Sequence, residues 1–262
     1  SATAIVTVEE KANQTIAFNS LANKTYGVAN FDLTATASST LSVNYTVMSG
    51  PATITGSTVS IAGVGTVVIE ATQAGDATFA SAPAVQQSFE VNPAAITVAA
   101  DDQTITYGDA IPALTFAYNG FVNGESSTVL TAEPTITTVA TGTSDAGSYV
   151  ITLAGGAANN YTFMLVDGTL TINKADQTIS MDAISDKLIT DASFDVVAST
   201  TSNLMLDYVI TGPATINGTT VTLDGSVGTV TVIASQGGNT NYNAALEVSR
   251  SFTVTDPSKT DQ

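Results

Sequence analysis

The chain of 262 residues contains no cysteine, no histidine and no tryptophan, and its only arginine is Arg250. Each absence removes a class of function. Without cysteine there are neither disulfides nor thiolate metal sites. Without histidine the commonest general base and the commonest zinc ligand are gone. One arginine cannot form a cluster that grips phosphate. Lys and Arg number 6 against 23 Asp and Glu, a net charge of −17. Such a surface repels nucleic acid and anionic membranes, which bind through neutralised phosphates. No apolar run reaches the length of a membrane span, so no membrane insertion is expected. Residues 1–8 lack the basic start and long apolar stretch of a signal peptide. The chain therefore reads as a mature protein or an excised fragment.

What is present is strand composition with turn punctuation. Thr, Val, Ile, Ser and Ala alternate nearly everywhere, and Gly, Asn and Asp stand at the breaks. The charged residues, 11% of the chain, are spread along it, as suits the solubility of an extracellular surface.

The chain repeats itself. Residues 50–59 read GPATITGSTV and residues 212–221 read GPATINGTTV. Gln14 returns as Gln177 and Phe89 as Phe252, both 163 positions on. Two homologous units thus flank a different middle unit. Position-by-position comparison assigns the faces. Val67, Ile69 and Ala71 match Val230, Val232 and Ala234 and are expected inward. Val43, Tyr45 and Val47 match Leu206, Tyr208 and Ile210 as a second buried face. Gly56-Ser57 and Gly218-Thr219 are expected as two-residue hairpin turns.

The expected fold is all-β: three tandem small domains of about eighty residues each. The outer two read as Ig-like β-sandwiches. The middle one reads as mostly β, with a β-grasp-like arrangement left open. One short helical turn is expected within 124–130, and a closing hairpin turning at Asp167-Gly168. The segments run 1–10, 11–92, 93–174 and 175–255, with a tail or linker over 256–262. Residues 1–10 hold either the last strand of a preceding repeat or a donor strand. The junctions at Pro93 and Lys174 are short, so the domains are expected to stack end to end as a semi-rigid rod.

The phrases KTYG (24–27), GPATI, GNTNYNAA (238–245) and SFTV (251–254) resemble Ig-like repeats of large bacterial surface proteins. ITYGDAIPALTFAYNGFVNGES (105–126), followed by DAGSYVITLAGG and NNYTF, resembles the MBG domain of the YGX type, a module of Bacteroidota-type adhesins. The resemblance implies a secreted protein of the bacterial cell surface. It transfers no ligand site.

Asp101, Asp102 and Asp109 are candidate calcium ligands at the start of the middle segment, with solvated turn carboxylates as the competing reading. Asp176, Asp182 and Asp186 form a similar group. Lys24 and Lys187 occupy equivalent positions and invite comparison with isopeptide lysines, although a polar loop is their expected setting. Tyr26, Tyr107, Tyr118, Phe121, Tyr161 and Tyr242 form either a sugar platform or core plugs, and the plug reading is favoured. No carboxylate pair has the setting of a glycosidase, so no enzyme and no cofactor are expected. The leading functional expectation is a non-catalytic stalk. The alternatives are a filament subunit that donates residues 2–8 as a strand, and a glycan- or protein-binding module. The expected partners are neighbouring repeats of the same array or identical subunits.

Overall fold

A computed structural model describes residues 9–259. The expected first strand over residues 2–8 lies outside the described residues. Strands make up 52% of the chain and helix 2%, which settles the all-β class. Among the described residues the helical elements are two 3-10 turns, Ser127–Val129 and Pro257–Lys259. The first is the short turn expected within 124–130. A β-grasp layer would require a helix packed on its sheet, and the middle segment has only this turn.

The chain divides into two compact units, and the division passes through residues 93–174. The first unit holds residues up to Asp101, Leu114–Thr137 and Thr152–Gly168; the second holds Asp102–Ala113, Thr138–Ile151 and the residues from Thr169 on.

In the first unit, a four-stranded sheet runs Lys24–Thr25, Val85–Asn92, Gly65–Thr72, Asn44–Ser49. A three-stranded sheet runs Phe31–Asp32, Thr58–Ile61, Ala52–Thr55. Val67, Ile69 and Ala71 are completely buried between them, as period-2 alternation requires. The unit also contains Ala94–Ala100, which pairs antiparallel with Phe116–Asn119 and parallel with Tyr161–Val166.

The second unit repeats the first design. One sheet runs Lys187–Leu188, Val248–Thr255, Gly228–Ser235, Asp207–Thr211, and the other runs Phe194–Asp195, Thr220–Leu223, Ala214–Asn217. Val230, Val232 and Ala234 are completely buried. The GPATI phrase has one structural demand in both copies. Gly50 and Gly212 have φ of +99° and +95°, and a Cβ at either would stand 2.2 Å from a carbonyl oxygen, of Thr66 or Thr229. Only glycine fits. The following strands then close on the two-residue turns Gly56-Ser57 and Gly218-Thr219.

Two readings of the sequence are corrected. Tyr45 and Tyr208, with their neighbours on the same face, are half-buried rather than buried. Each tyrosine needs an outlet for its hydroxyl; that of Tyr45 accepts a hydrogen bond from the Ala35 amide at 2.8 Å. The hairpin expected at Asp167-Gly168 does not form. Tyr161–Val166 runs parallel to Ala94–Ala100, and Gly168–Asn173 runs parallel to Gln103–Thr106. One residue between two strands is too short for a hairpin, and neither Asp167 nor Gly168 has the positive φ of a type I′ turn.

A single register governs all three segments. Ala12 faces Phe79, Ala94 faces Tyr161 and Ala175 faces Tyr242, each pair parallel and 67 positions apart. Further along, Lys24 faces Val91, Ile105 faces Ile172 and Lys187 faces Val254, again 67 apart. Carboxamide or carboxylate oxygens hold this register. Asn23 accepts from the Glu90 amide, Asp102 from Thr169 and Asp186 from Thr253. The middle segment thus shares its closing frame with its neighbours, a kinship hidden from a comparison at a spacing of 163.

The QTI phrase also acquires a reason. Gln14 is buried; its Nε2 donates to Gln73 Oε1 at 2.9 Å and to the Ala80 carbonyl at 2.7 Å, and its Oε1 accepts from Ser39. Gln177 does the same with Gln236 Oε1 at 3.1 Å, the Asn243 carbonyl at 2.7 Å and Ser202. Buried amides are tolerated because every partner is supplied.

Two outcomes follow for thermal or denaturant unfolding. Ile69→Ala costs about 2–5 kcal/mol, whereas Met205→Ala, at a side chain 88% exposed, stays within about 0.5 kcal/mol. Gln177→Ala, which removes one donor from both Gln236 Oε1 and the Asn243 carbonyl, costs about 1–3 kcal/mol; a cost below that range would show that water replaces the lock freely.

Candidate functional site: the seams between segments

The sequence candidates are placed one by one. Asp101 accepts a hydrogen bond from the Thr115 hydroxyl at 2.6 Å, Asp102 from the Thr169 amide at 2.7 Å, and Asp109 from the Thr106 amide at 3.0 Å. Asp109 closes its own turn, whereas Asp101 and Asp102 tie down residues 14 and 67 positions on. Asp176 accepts from Asn243 Nδ2 and Asp186 from the Thr253 amide. Among the described residues no three acidic side chains are grouped to hold a metal.

Lys24 and Lys187 lie in short strands rather than in polar loops. Their ammonium groups sit over Phe31 and Phe194, 4.5 and 4.6 Å from the ring centroids. This cation–π pairing, rather than a carboxylate or carboxamide partner, is their shared environment.

The aromatic residues are not a platform. Tyr26 and Tyr161 are buried, and Tyr118 packs edge-on against Phe116 with its hydroxyl buried and unpartnered. Four of the tyrosines instead form two pairs, each where one sequence segment meets the next.

The first seam lies within the first unit. Tyr26 and Tyr161 meet edge to face, centroids 5.6 Å apart. Glu125 joins them: one carboxylate oxygen accepts from Tyr26 at 2.8 Å and the other accepts from Tyr161. The Val122 amide donates to the Tyr161 hydroxyl at 3.1 Å. Gly27, at φ +88°, lets Val122 approach; a Cβ there would lie 2.4 Å from its side chain. Beside the rings, Asn160 Oδ1 accepts from the Val64 amide at 3.1 Å.

The second seam lies within the second unit and uses the same parts. Tyr107 and Tyr242 meet edge to face at 5.5 Å. Asn241 Oδ1 accepts from the Ala146 amide at 2.8 Å, and its Nδ2 donates to Asp145. Lys174 Nζ donates to the Asn239 carbonyl at 2.6 Å. No carboxylate is shared between tyrosines here among the described residues.

Sequence reading missed Glu125, Asn160 and Asn241. A signal was present: Thr-Tyr-Gly occurs at 25–27 and 106–108, and Asn-Tyr at 160–161 and 241–242, both 81 positions apart.

The open cavities of the outer segments are shallow hollows of the sandwich. One of about 440 Å³ beside Ala198, Leu204, Leu206 and Tyr208 has a counterpart of about 340 Å³ beside Ala35, Leu41 and Val43. No titratable pair faces either one.

Residues 96–171 match the family model of the MBG domain, YGX type. No curated protein matches the chain. Among solved structures, the chain is similar to Drosophila N-cadherin EC1-4, with 13% identity over 94% of this chain and 73% of that one, TM-score 0.31. It is similar to the human desmocollin-1 ectodomain, with 11% identity over 94% and 62%, TM-score 0.34. It is also similar to the surface layer protein SbsC, domains 1–6, with 18% identity over 92% and 40%, TM-score 0.25. Likeness at this level transfers no site. No helix among the described residues is long and apolar enough to cross a membrane.

The first seam titrates at high pH. Burial, and then the hydrogen bond to Glu125, push the Tyr161 phenol from 10.0 up to about 12. A raised phenol pKa favours the protonated folded form. Its stabilisation is complete below about pH 10 and is lost as pH rises through about 12. Stability measured across that window falls steeply in the wild type and more gently in Tyr161→Phe; identical slopes would remove Tyr161 from the balance.

Proposed function

We propose that this chain is a non-catalytic spacer of an extracellular, adhesin-like bacterial surface protein, made of three β modules with boundaries near Pro93 and Lys174. Its work is to hold other parts of such a protein at a distance. The observation that carries this reading is the seam. The same tyrosine pair and asparagine clamp occur at both places where one segment meets the next. A chain that builds its joints with one device is organised for repetition. The MBG match over 96–171 supports the surface setting. The acidic, histidine-free composition supports a solvated exterior without catalysis.

The joints need no metal in this reading, because the carboxylates near them already serve backbone amides and side chains. Small-angle scattering of the full chain tests it. The expected radius of gyration is well above the ~18 Å of a compact domain of this length, and unchanged by calcium or a chelator. A compact particle overturns the spacer reading. A calcium-dependent change overturns the metal-free joint.

A further inference from the structure

We infer that the two seams are one docking code, in which a tyrosine on a type II turn of one segment is read by an Asn-Tyr pair on the next, and that the middle segment carries both halves. The partner it fits is therefore a further module bearing the same pair, a second copy of the middle segment included. The inference rests on the spacer reading for its setting, but not for its test.

The presenting half has a fixed geometry. In Thr25-Tyr26-Gly27-Val28 the Val28 amide donates to the Thr25 carbonyl, and in Thr106-Tyr107-Gly108-Asp109 the Asp109 amide donates to the Thr106 carbonyl. Gly27 and Gly108 have φ of +88° and +93°, the third-position value of a type II turn. The Tyr26 and Tyr107 amides are both spent on the closing strand, at Asn92 and Asn173. Each tyrosine is thereby anchored at its backbone, and its ring is left to meet a neighbour. The clamp donor is fixed in the same way: Val64 and Ala146 each stand just ahead of the glycine that opens a long strand, Gly65 or Gly147.

The reading half is equally constrained. Asn160 and Asn241 give their backbone carbonyls to Ala94 and Ala175, the first residues of the parallel register. Their side-chain oxygens then point at Val64 and Ala146. Tyr161 and Tyr242 follow immediately. Entering strand, clamp and ring are thus set by one three-way junction.

The outer segments each hold only one half. At the reading position the first segment has Thr78-Phe79, and at the presenting position the third has Ile189-Thr190. Thr190 lacks the positive φ of Gly27 and Gly108, Ile189 stands in place of the tyrosine, and Val227 stands at the position equivalent to Val64. The third segment thus reads and does not present; the first presents and does not read.

Amide hydrogen exchange on the full chain tests the code. Asn160→Ala is expected to speed exchange at Val64 at least tenfold and leave Ala146 unchanged, and Asn241→Ala to do the reverse. Melting shifts of the double variants Tyr26→Leu/Tyr161→Leu and Tyr107→Leu/Tyr242→Leu are expected to be smaller than the sums of their singles, while Tyr26→Leu/Tyr242→Leu matches its sum. Exchange unaffected by either asparagine, or additivity in all three doubles, overturns the code while leaving the scattering result to stand or fall separately. A chain lengthened by a second copy of residues 94–174 after Lys174 is expected to protect both Ala146 amides, whereas one lengthened by a second copy of 175–255 leaves the Val227 amide fast. Equal protection in both overturns the claim that the middle segment alone carries both halves.

Discussion

Every segment depends on one non-local contact, the parallel docking of its entering strand against its closing strand 67 residues later. That pairing fixes where the chain enters and leaves each segment. Closing so long a loop costs entropy before any ladder bond returns it, and that cost must be met in each segment. The chain meets it with redundancy. Backbone bonds at the first residue, an Asx side chain beside the second contact and a tyrosine or isoleucine amide beyond it all specify the same register. Parallel pairing is slightly weaker per residue than antiparallel pairing, which makes such pins useful.

Many of the aspartates act as fasteners. Asp32, Asp76, Asp102, Asp109, Asp167 and Asp186 each accept from an amide or hydroxyl of their own fold. The Asp76 carboxyl is held below its ordinary value by the amides of Phe79 and Thr78. In the third segment Asn239 occupies that position and accepts the equivalent pair of amides, so the geometry and not the charge is what is kept. A high count of carboxylates is therefore compatible with the absence of any grouped metal site among the described residues.

Side-chain periodicity made the faces legible: Val67, Ile69, Ala71 and their partners 163 positions on are inward as alternation requires. Turn chemistry made the hairpins at Gly56 and Gly218 legible. Strand partners were not legible. Alternation reports which face is buried, not which strand lies alongside, so Tyr161–Val166 was assigned to a neighbour in sequence when its partner is Ala94–Ala100. The seams escaped for a related reason. Comparison at a spacing of 163 aligned the outer segments and hid the 81-residue recurrence of Thr-Tyr-Gly and Asn-Tyr. Glu125 has no counterpart in either comparison, and only three-dimensional proximity to Tyr26 and Tyr161 distinguishes it from a surface glutamate.

The parallel register has a mechanical meaning. When entering and closing strands run the same way, the chain leaves a segment at the end opposite to the one where it arrived. Tension applied through the chain then slides the two strands along each other. The hydrogen bonds between Lys24–Thr25 and Val91-Asn92, and between Lys187–Leu188 and Val254-Thr255, are loaded together in shear instead of being peeled apart one at a time. Rupture then requires several bonds and an Asx pin to fail at once. A fold whose closure is slow to find is, by the same geometry, hard to pull open.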